Sequence, residues 1–494
     1  MTAKSGRSPA VPWVAAASAP GASIVGETGF GRAGYLFLVP LLFFLYSRIL
    51  DITIPGLHLP MVFSLITLAA VMAEGAWLEV SGYPATRCLF VFTLWFCVTI
   101  VTSVWRGGSF DVLKDFWIKS FLIYLVVASL ITTLERMRSV LRAIAFGIMC
   151  SGLIALLKGS VDRSGRLQLP FGELSNANAF GLIMVLGIIF CWYSITYAGA
   201  PKRWRVLGIV MLLPLSYAML RSGSRSAMLT LVIALLYAFL RLPAQKKLML
   251  VIIAVVGAPL LIALLPGHIT ERLATTFTRQ DELTRESSGL EHSAVASTES
   301  RWYLFKQSVY VTLHHPVFGV GAGNFTVAEN EIATQEGRRG NWHVPHNGYT
   351  QISSEMGIVG LALYVGAIVS CWRKLKRIKT HDLPEAYALE IQHTVFSLQL
   401  SMVAMLVAAV FGLNLYSYYL PAFLGLIVGL DRCMQKMQRG VGEKVNPQPR
   451  WTGARLGGTV GNGSLVPAST TTLSPVRGAA RGARYQQPWQ RRAH

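Results

Sequence analysis

The sequence predicts an all-α polytopic membrane protein with about 12 transmembrane helices and a large helical loop on the outer side, between spans 9 and 10. Of its 494 residues, 53% are hydrophobic and 14% charged, where a soluble domain carries roughly a quarter of charged residues. Mean hydropathy is +0.47. Apolar runs of about 20 residues, the length that crosses a bilayer, recur from Tyr35 to Leu430. The short alternating strands of a membrane barrel are missing from the pattern.

Residues 1–33 hold PWVAAASAP but no sustained apolar run, and read as a flexible cytoplasmic leader. Spans 1–9, within 34–265, fall near 35–50, 59–80, 88–105, 117–134, 139–158, 175–198, 204–221, 225–241 and 247–265. The first is short, and the DITIPGLHLP after it suits an interfacial or re-entrant turn. Spans 10–12, within 356–431, fall near 356–373, 391–411 and 415–431. With the N-terminus inside, the cytoplasmic loops collect Arg87, then Arg136, Arg138 and Arg142, then Lys202, Arg203 and Arg205. Arg241, Lys246, Lys247 and the WRKLKRIK run follow on the same side. That bias is the positive-inside rule, and it puts both termini in the cytoplasm and the loop 266–355 outside.

The net charge of +21 has the same origin. From Arg432 onward eleven basic residues face one acid, Glu443, in a Gly-, Pro-, Ser- and Thr-rich stretch. Residues 432–494 therefore read as a basic, disordered cytoplasmic tail. No nucleic-acid motif accompanies these charges, so nucleic acid is excluded as a partner and membrane lipids are expected. The six cysteines sit in or beside apolar runs, without CxxC or a His/Cys cluster, so neither a disulfide framework nor zinc is indicated.

The outer loop 266–355 is too long for a connector. RQDELTRESSGLEHSAVASTES reads as mobile. ESRWYLFKQSVYVTLHHPVFGVGAGNF follows, with Trp302, Phe305, Val309 and Leu313 at helical spacing. Those four make an amphipathic helix lying against the membrane or the bundle, closed by Pro316 and a glycine turn. GVGAGNF follows a helix and lacks a Lys-Ser/Thr ending, so it fails as a nucleotide motif.

Candidate chemistry gathers at the outer ends of the spans. His346 stands where the loop re-enters the membrane, and an imidazole there can take a proton from a sugar hydroxyl; the bland alternative is a capping or loop histidine. His343 and Asn347 flank it as supporting residues. Arg221 and Arg225, four apart in LRSGSRSAML, lie on the side where basic residues are disfavoured. They suit phosphate oxygens, or else snorkel at a helix end. Arg301 opens the amphipathic helix as a further phosphate contact or an interfacial anchor beside Trp302. Asn178 in SNANAF offers a sugar or headgroup contact, against plain N-capping by Ser175 or Asn176. Glu355 suits a second acid/base group or the orientation of an arginine. No carboxylate-rich cluster fits a divalent ion, so no metal and no cofactor is expected.

Two of these stretches carry a resemblance. Arg225-Ser-Ala-Met-Leu229 and His346-Asn347, nine residues, then Gly357-Ile-Val-Gly360 resemble motifs of the O-antigen ligase and O-antigen polymerase superfamily of bacterial membrane glycosyltransferases. The Arg301 helix with HPVFGVGAGNF, and SNANAF, are also similar, so the resemblance spans about residues 175–430. It implies an undecaprenyl-pyrophosphate-linked glycan donor, an inner-membrane location and a periplasmic loop at 266–355. It further implies His346 as the essential histidine, with Arg225 and Arg301 on the donor pyrophosphate. The acceptor stays open: lipid A-core sugar for a ligase, a second lipid-linked repeat for an O-antigen or exopolysaccharide polymerase, or a protein hydroxyl. A lipid-linked glycan transporter is the competitor from another class. It would show two similar halves, and none is visible.

Overall fold

The computed structural model describes residues 29–54, 56, 59–162, 164–170, 172–197, 199–274, 289–380, 383, 385–412 and 414–445. The expected leader, apart from its end, lies outside these residues, as do 275–288 of the outer loop and the chain beyond Val445.

Helix α1 (Gly29–Ser47) meets α2 (Ile49–Thr53) through Arg48, which sits in the left-handed region at φ 54°. The span expected over 59–80 is two helices, α3 (Leu59–Glu74) and α4 (Ala76–Ser81), parted by Gly75 at φ 68°. Helix α5 (Pro84–Val101) starts on a proline, whose missing N–H is no loss in a first turn. Helix α6 (Arg106–Val112) runs through a π-helical turn, Leu113–Trp117, into α7 (Ile118–Leu130). The Thr133 hydroxyl then accepts the Arg136 amide at 3.2 Å and starts α8 (Leu134–Lys158). A small antiparallel hairpin follows, β1 (Ser160–Val161) with β2 (Leu167–Gln168). Next come α9 (Ala177–Thr196), α10 (Lys202–Arg221), α11 (Arg225–Arg241) and α12 (Ala244–Ala263). The stretch 266–355 holds α13 (Gly267–Ala274), α14 (Gly289–His314) and α15 (Phe325–Gln335). Helices α16 (Gly348–Arg377), α17 (Glu385–Val410) and α18 (Tyr419–Val445) close the chain.

The protein is thus nearly all-α and multi-pass. Among the described residues, eight helices are long and apolar enough to cross a membrane: α1, α5, α8, α9, α10, α12, α16 and the Tyr387–Val410 part of α17. Helix α9 is the inner one, packed on α8, α10, α11 and α17. Helix α5 runs along α16, and α1 lies between α3 and α8. Helix α12 is at the edge. Its Ile252, Val255 and Val256 are 53%, 66% and 65% exposed, a surface that only lipid can cover without cost.

One expectation is refined and one needs correction. The amphipathic helix exists as α14, but its protein-facing side is Leu304, Ser308 and Val311, all buried. Trp302 and Leu313 of the expected stripe are 58% and 69% exposed. Spacing finds a stripe but not which stripe meets protein, and small Ser308 allows the closer approach. Leu304 and Val311 join Val320, Phe325 and Ala328 in a separate small core, so this half of the loop is a folded unit. Nor does an irregular tail begin at 432. Helix α18 continues to Val445, and buried Arg432 donates to the Ala128 and Ser129 carbonyls at 2.7 and 2.6 Å and pairs with Glu79.

Candidate active site

The site is built around a break in α16. Asn347 caps this helix, its Oδ1 accepting the Tyr349 and Thr350 amides at 3.0 and 3.1 Å. At Gly357 the backbone turns to φ 72°, ψ 178°, a conformation open to glycine alone, and the helix restarts beyond it. The break frees carbonyls, and each finds a donor. Ser354 accepts from the Val320 amide at 2.9 Å, Glu355 from the Gly321 amide at 2.8 Å, and Met356 from the Trp95 indole at 2.9 Å. In return the Ile358 amide donates to the Pro316 carbonyl at 2.8 Å. A side chain at Gly357 would collide with the Val317 carbonyl, and one at Gly319 with the Glu355 backbone. The glycine turn after α14 and the glycines of α16 are therefore two halves of one joint. Asn324 fixes the far side of that turn, donating to the Ser103 and Ser109 hydroxyls and the Trp105 carbonyl.

His346 lies just before the cap, half-buried and itself left-handed at φ 53°. Its backbone rests on Gly412, in the turn between α17 and α18, where a β-carbon would stand 3.3 Å from the His346 Cα. Burial pushes the imidazole down to about 4, and the nearby charges of Arg301 and His343 push the same way. His346 is thus within range of the charges of Arg301 and His343. Glu355 is fully buried inside the joint instead of at its mouth. Gln351 donates to it at 3.5 Å, and the Tyr416 hydroxyl and the Gly323 and Phe325 amides are its other polar neighbours.

A second group surrounds the α10–α11 turn at the same end of the bundle. Arg225 is the first residue of α11, whose cap is Ser224, the hydroxyl accepting from Ala227 N at 3.2 Å. Arg221 ends α10 and turns to Tyr217, donating to its hydroxyl at 3.4 Å and lying over its ring. Helix α9 begins beside this turn. Asn176 is its cap, accepting the Asn178 amide at 2.9 Å, so that role is not Ser175's. Asn178 is engaged by a residue the sequence reading passed over. Arg166, buried in the α8–α9 connection, donates to Asn178 Oδ1 at 2.6 Å and to the Ser222 carbonyl at 2.9 Å. A basic residue on the side poor in them was the available signal, the same one that marked Arg221 and Arg225. Helix α13 links the groups: its Ile269 packs with Tyr217, Leu220 and Met228, and it contacts α14, which carries Arg301.

The fold and this site define a multi-pass membrane protein with a histidine and several arginines gathered at one end of the bundle. Residues 210–365 match the sequence model described as O-antigen ligase, a likeness that supports the O-antigen ligase and polymerase superfamily. The match takes in Arg221, Arg225, Arg301, His343, His346, Asn347 and Glu355, and stops short of Asn178 and Arg166. Members of that family are membrane glycosyltransferases of the ligase and polymerase type. No curated protein matches the chain.

Proposed function

We propose that the protein is an O-antigen ligase-like glycosyltransferase of the bacterial inner membrane. It moves a glycan from undecaprenyl pyrophosphate to a lipid A-core sugar hydroxyl at the periplasmic face, without a metal. About twelve spans carry the site, counting the shorter helices α3, α7 and α11 and α18 beside the eight long ones, with both termini cytoplasmic. The observation that supports this most is the half-buried imidazole of His346 beside the Arg301 guanidinium. A neutral imidazole can accept a proton, and a guanidinium can hold pyrophosphate oxygens with paired hydrogen bonds.

The acceptor oxygen attacks the anomeric carbon and its proton passes to His346. The bond from that carbon to the carrier oxygen breaks, and its electron pair leaves on undecaprenyl pyrophosphate. Arg301 and Arg225 meet the negative charge that grows there, the electrostatic help that group transfer needs most. A base held near 4 is weak, and the donor corrects this: its anionic pyrophosphate offsets the Arg301 charge and raises the affinity of the imidazole for a proton. Direct displacement inverts the anomeric centre. Arg166 and Asn178 hold the turn that aims Arg225.

The test is transfer by the purified protein in detergent, with chelator present, offering core lipid or a second lipid-linked repeat as acceptor. Transfer to core lipid that is lost with His346→Asn supports the ligase. A ladder of lengthened lipid-linked chains makes the protein a polymerase. Binding of the glycan lipid without transfer to either acceptor returns the transporter.

A further inference from the structure

The opposite end of the bundle carries a second charged feature, outside the machinery above. Where α8 and α10 begin and α9 ends, a cleft of about 430 Å³, its open mouth included, is lined by Arg138, Arg142, Tyr193, Tyr197 and Trp204. The two tyrosines stack, their rings 5.8 Å apart and 9° from parallel. The Arg142 guanidinium stands 5.3 Å over the Trp204 ring. Arg138 is held by buried Glu390, 3.0 Å from its carboxylate. Arg142 has no carboxylate within ion-pair reach among the described residues; Arg138 and Arg203 stand near enough to add their charge to its own, and Glu390 opposes them from farther off. Two guanidinium groups thus line a cleft walled by aromatic rings, with one carboxylate, Glu390, between them. Such an excess beside the apolar part of a membrane calls for an anion.

The surface leading away from the mouth narrows the choice. Along α8, Phe146 and Leu153 are 43% and 38% exposed. They stand 4 and 11 residues beyond Arg142, on the face of α8 that carries it. A free anion would use the arginines and leave this stripe idle, whereas a phospholipid uses both. The cleft is also remote from the proposed donor site, since α10 has 20 residues and so separates its ends by about 30 Å.

We propose that this cleft is a binding site for an anionic phospholipid. The headgroup phosphate lies on Arg142 against Trp204, and the acyl chains lie along Phe146 and Leu153 of α8. Basic pockets between helices at a membrane surface recognise anionic headgroups in this way. Glu390 sets the strength of the site by occupying Arg138.

The experiment is native mass spectrometry of the full chain in detergent, titrated with phosphatidylglycerol or phosphatidylcholine. The wild type is expected to hold one phosphatidylglycerol and to prefer it over phosphatidylcholine. The preference is expected to fall about five-fold in Arg142→Gln, the effect of one interfacial cation. Glu390→Gln frees Arg138 and is expected to tighten binding, an answer that survives if Arg142→Gln does not fold. Arg339→Gln, an exposed arginine of the outer loop, is expected to change nothing. Inorganic phosphate is the competing probe, and retention of the lipid in its presence supports the lipid site. Equal binding of the two lipids, displacement by phosphate as a free-anion site would show, or no change in both Arg142→Gln and Glu390→Gln would each overturn the proposal.

Discussion

Arg301 and His346 lie close enough that the positive charge of one resists a proton on the other. They are 45 positions apart in sequence, and the fold joins them by splicing the turn after α14 onto the break in α16. The pairing puts a base next to the group proposed to hold the leaving pyrophosphate. It also makes the strength of that base depend on whether the donor is bound.

The pH dependence follows from this. His346 titrates at about 4 in the free protein, against 6.5 ordinarily. The acid limb of kcat/KM, which reports the free enzyme, is therefore expected near pH 4. The limb of kcat, which reports the donor-bound form, is expected at higher pH. Steady-state kinetics across pH checks this, and coincident limbs would refute substrate control of the base.

Stability has a matching sign. The folded-state value is depressed, so between 6.5 and about 4 the unfolded chain binds a proton that the folded chain refuses. The contribution is present above 6.5 and is lost as pH falls toward about 4. Thermal unfolding in detergent should show a smaller drop of Tm over this range in His346→Asn than in the wild type.

His346→Asn is also the cleanest activity probe. Asparagine tolerates the left-handed backbone that residue 346 adopts, so the fold and the Asn347 cap are kept. Loss of the base is expected to lower transfer by about 10²–10⁴-fold while donor binding persists. Arg301→Gln should differ in kind. It weakens donor binding, lowers transfer by about 10²–10³-fold, and raises the His346 titration in the free protein. If the titration, followed by NMR of labelled histidine, is unmoved in Arg301→Gln, then the two side chains do not act on each other.

The class of fold and much of this neighbourhood were legible in sequence because membrane burial and the distribution of charge are one-dimensional signals. Hydropathy marks a helix such as α9 whatever it packs against, and His346 and Arg225 stand out by lying on the side poor in cations. What sequence concealed depends on partners. Glycine is compatible with a continued helix, so nothing local says that α16 breaks at Gly357. The Val317 and Pro316 carbonyls decide that. The packing face of α14 was concealed for the same reason, since Ser308 looks polar until a neighbour closes over it. Arg166 is a basic residue on the same side as Arg225, but it stands in a connection with no motif around it, and only the fold brings it to Ser222 and Asn178.

Arg166 yields a prediction about positioning. It bonds both the Ser222 carbonyl before Arg225 and the Asn178 side chain at the start of α9. Arg166→Gln keeps a donor but cannot span both, so Arg225 should lose its fixed aim. The expected result is a fall in kcat/KM of about ten-fold, smaller than for Arg225→Ala, as suits a residue acting through another. Arg166→Lys should recover part of the loss. A drop in Tm without a kinetic effect would make Arg166 purely structural.

The joint itself makes the strongest stability prediction. Gly357 occupies a backbone region in which any other residue costs about 1–3 kcal/mol, and its missing β-carbon is the space taken by the Val317 carbonyl. Gly357→Ala must therefore either straighten α16 or push the glycine turn away. Either response undoes the Val320–Ser354 and Gly321–Glu355 hydrogen bonds that dock the outer loop. Because α14 carries Arg301 and the first turn of α16 follows His346, the same shift separates the proposed pyrophosphate contact from the base. Gly357→Ala is expected to lower Tm and abolish transfer together. Asn347→Ala should cost about 1 kcal/mol through loss of the cap and leave the break intact. Its transfer activity should fall only partly. Limited proteolysis distinguishes the two, since only Gly357→Ala should release the 316–323 turn to cleavage. Equal protection of that turn in Gly357→Ala and in the wild type would show that the break does not depend on glycine.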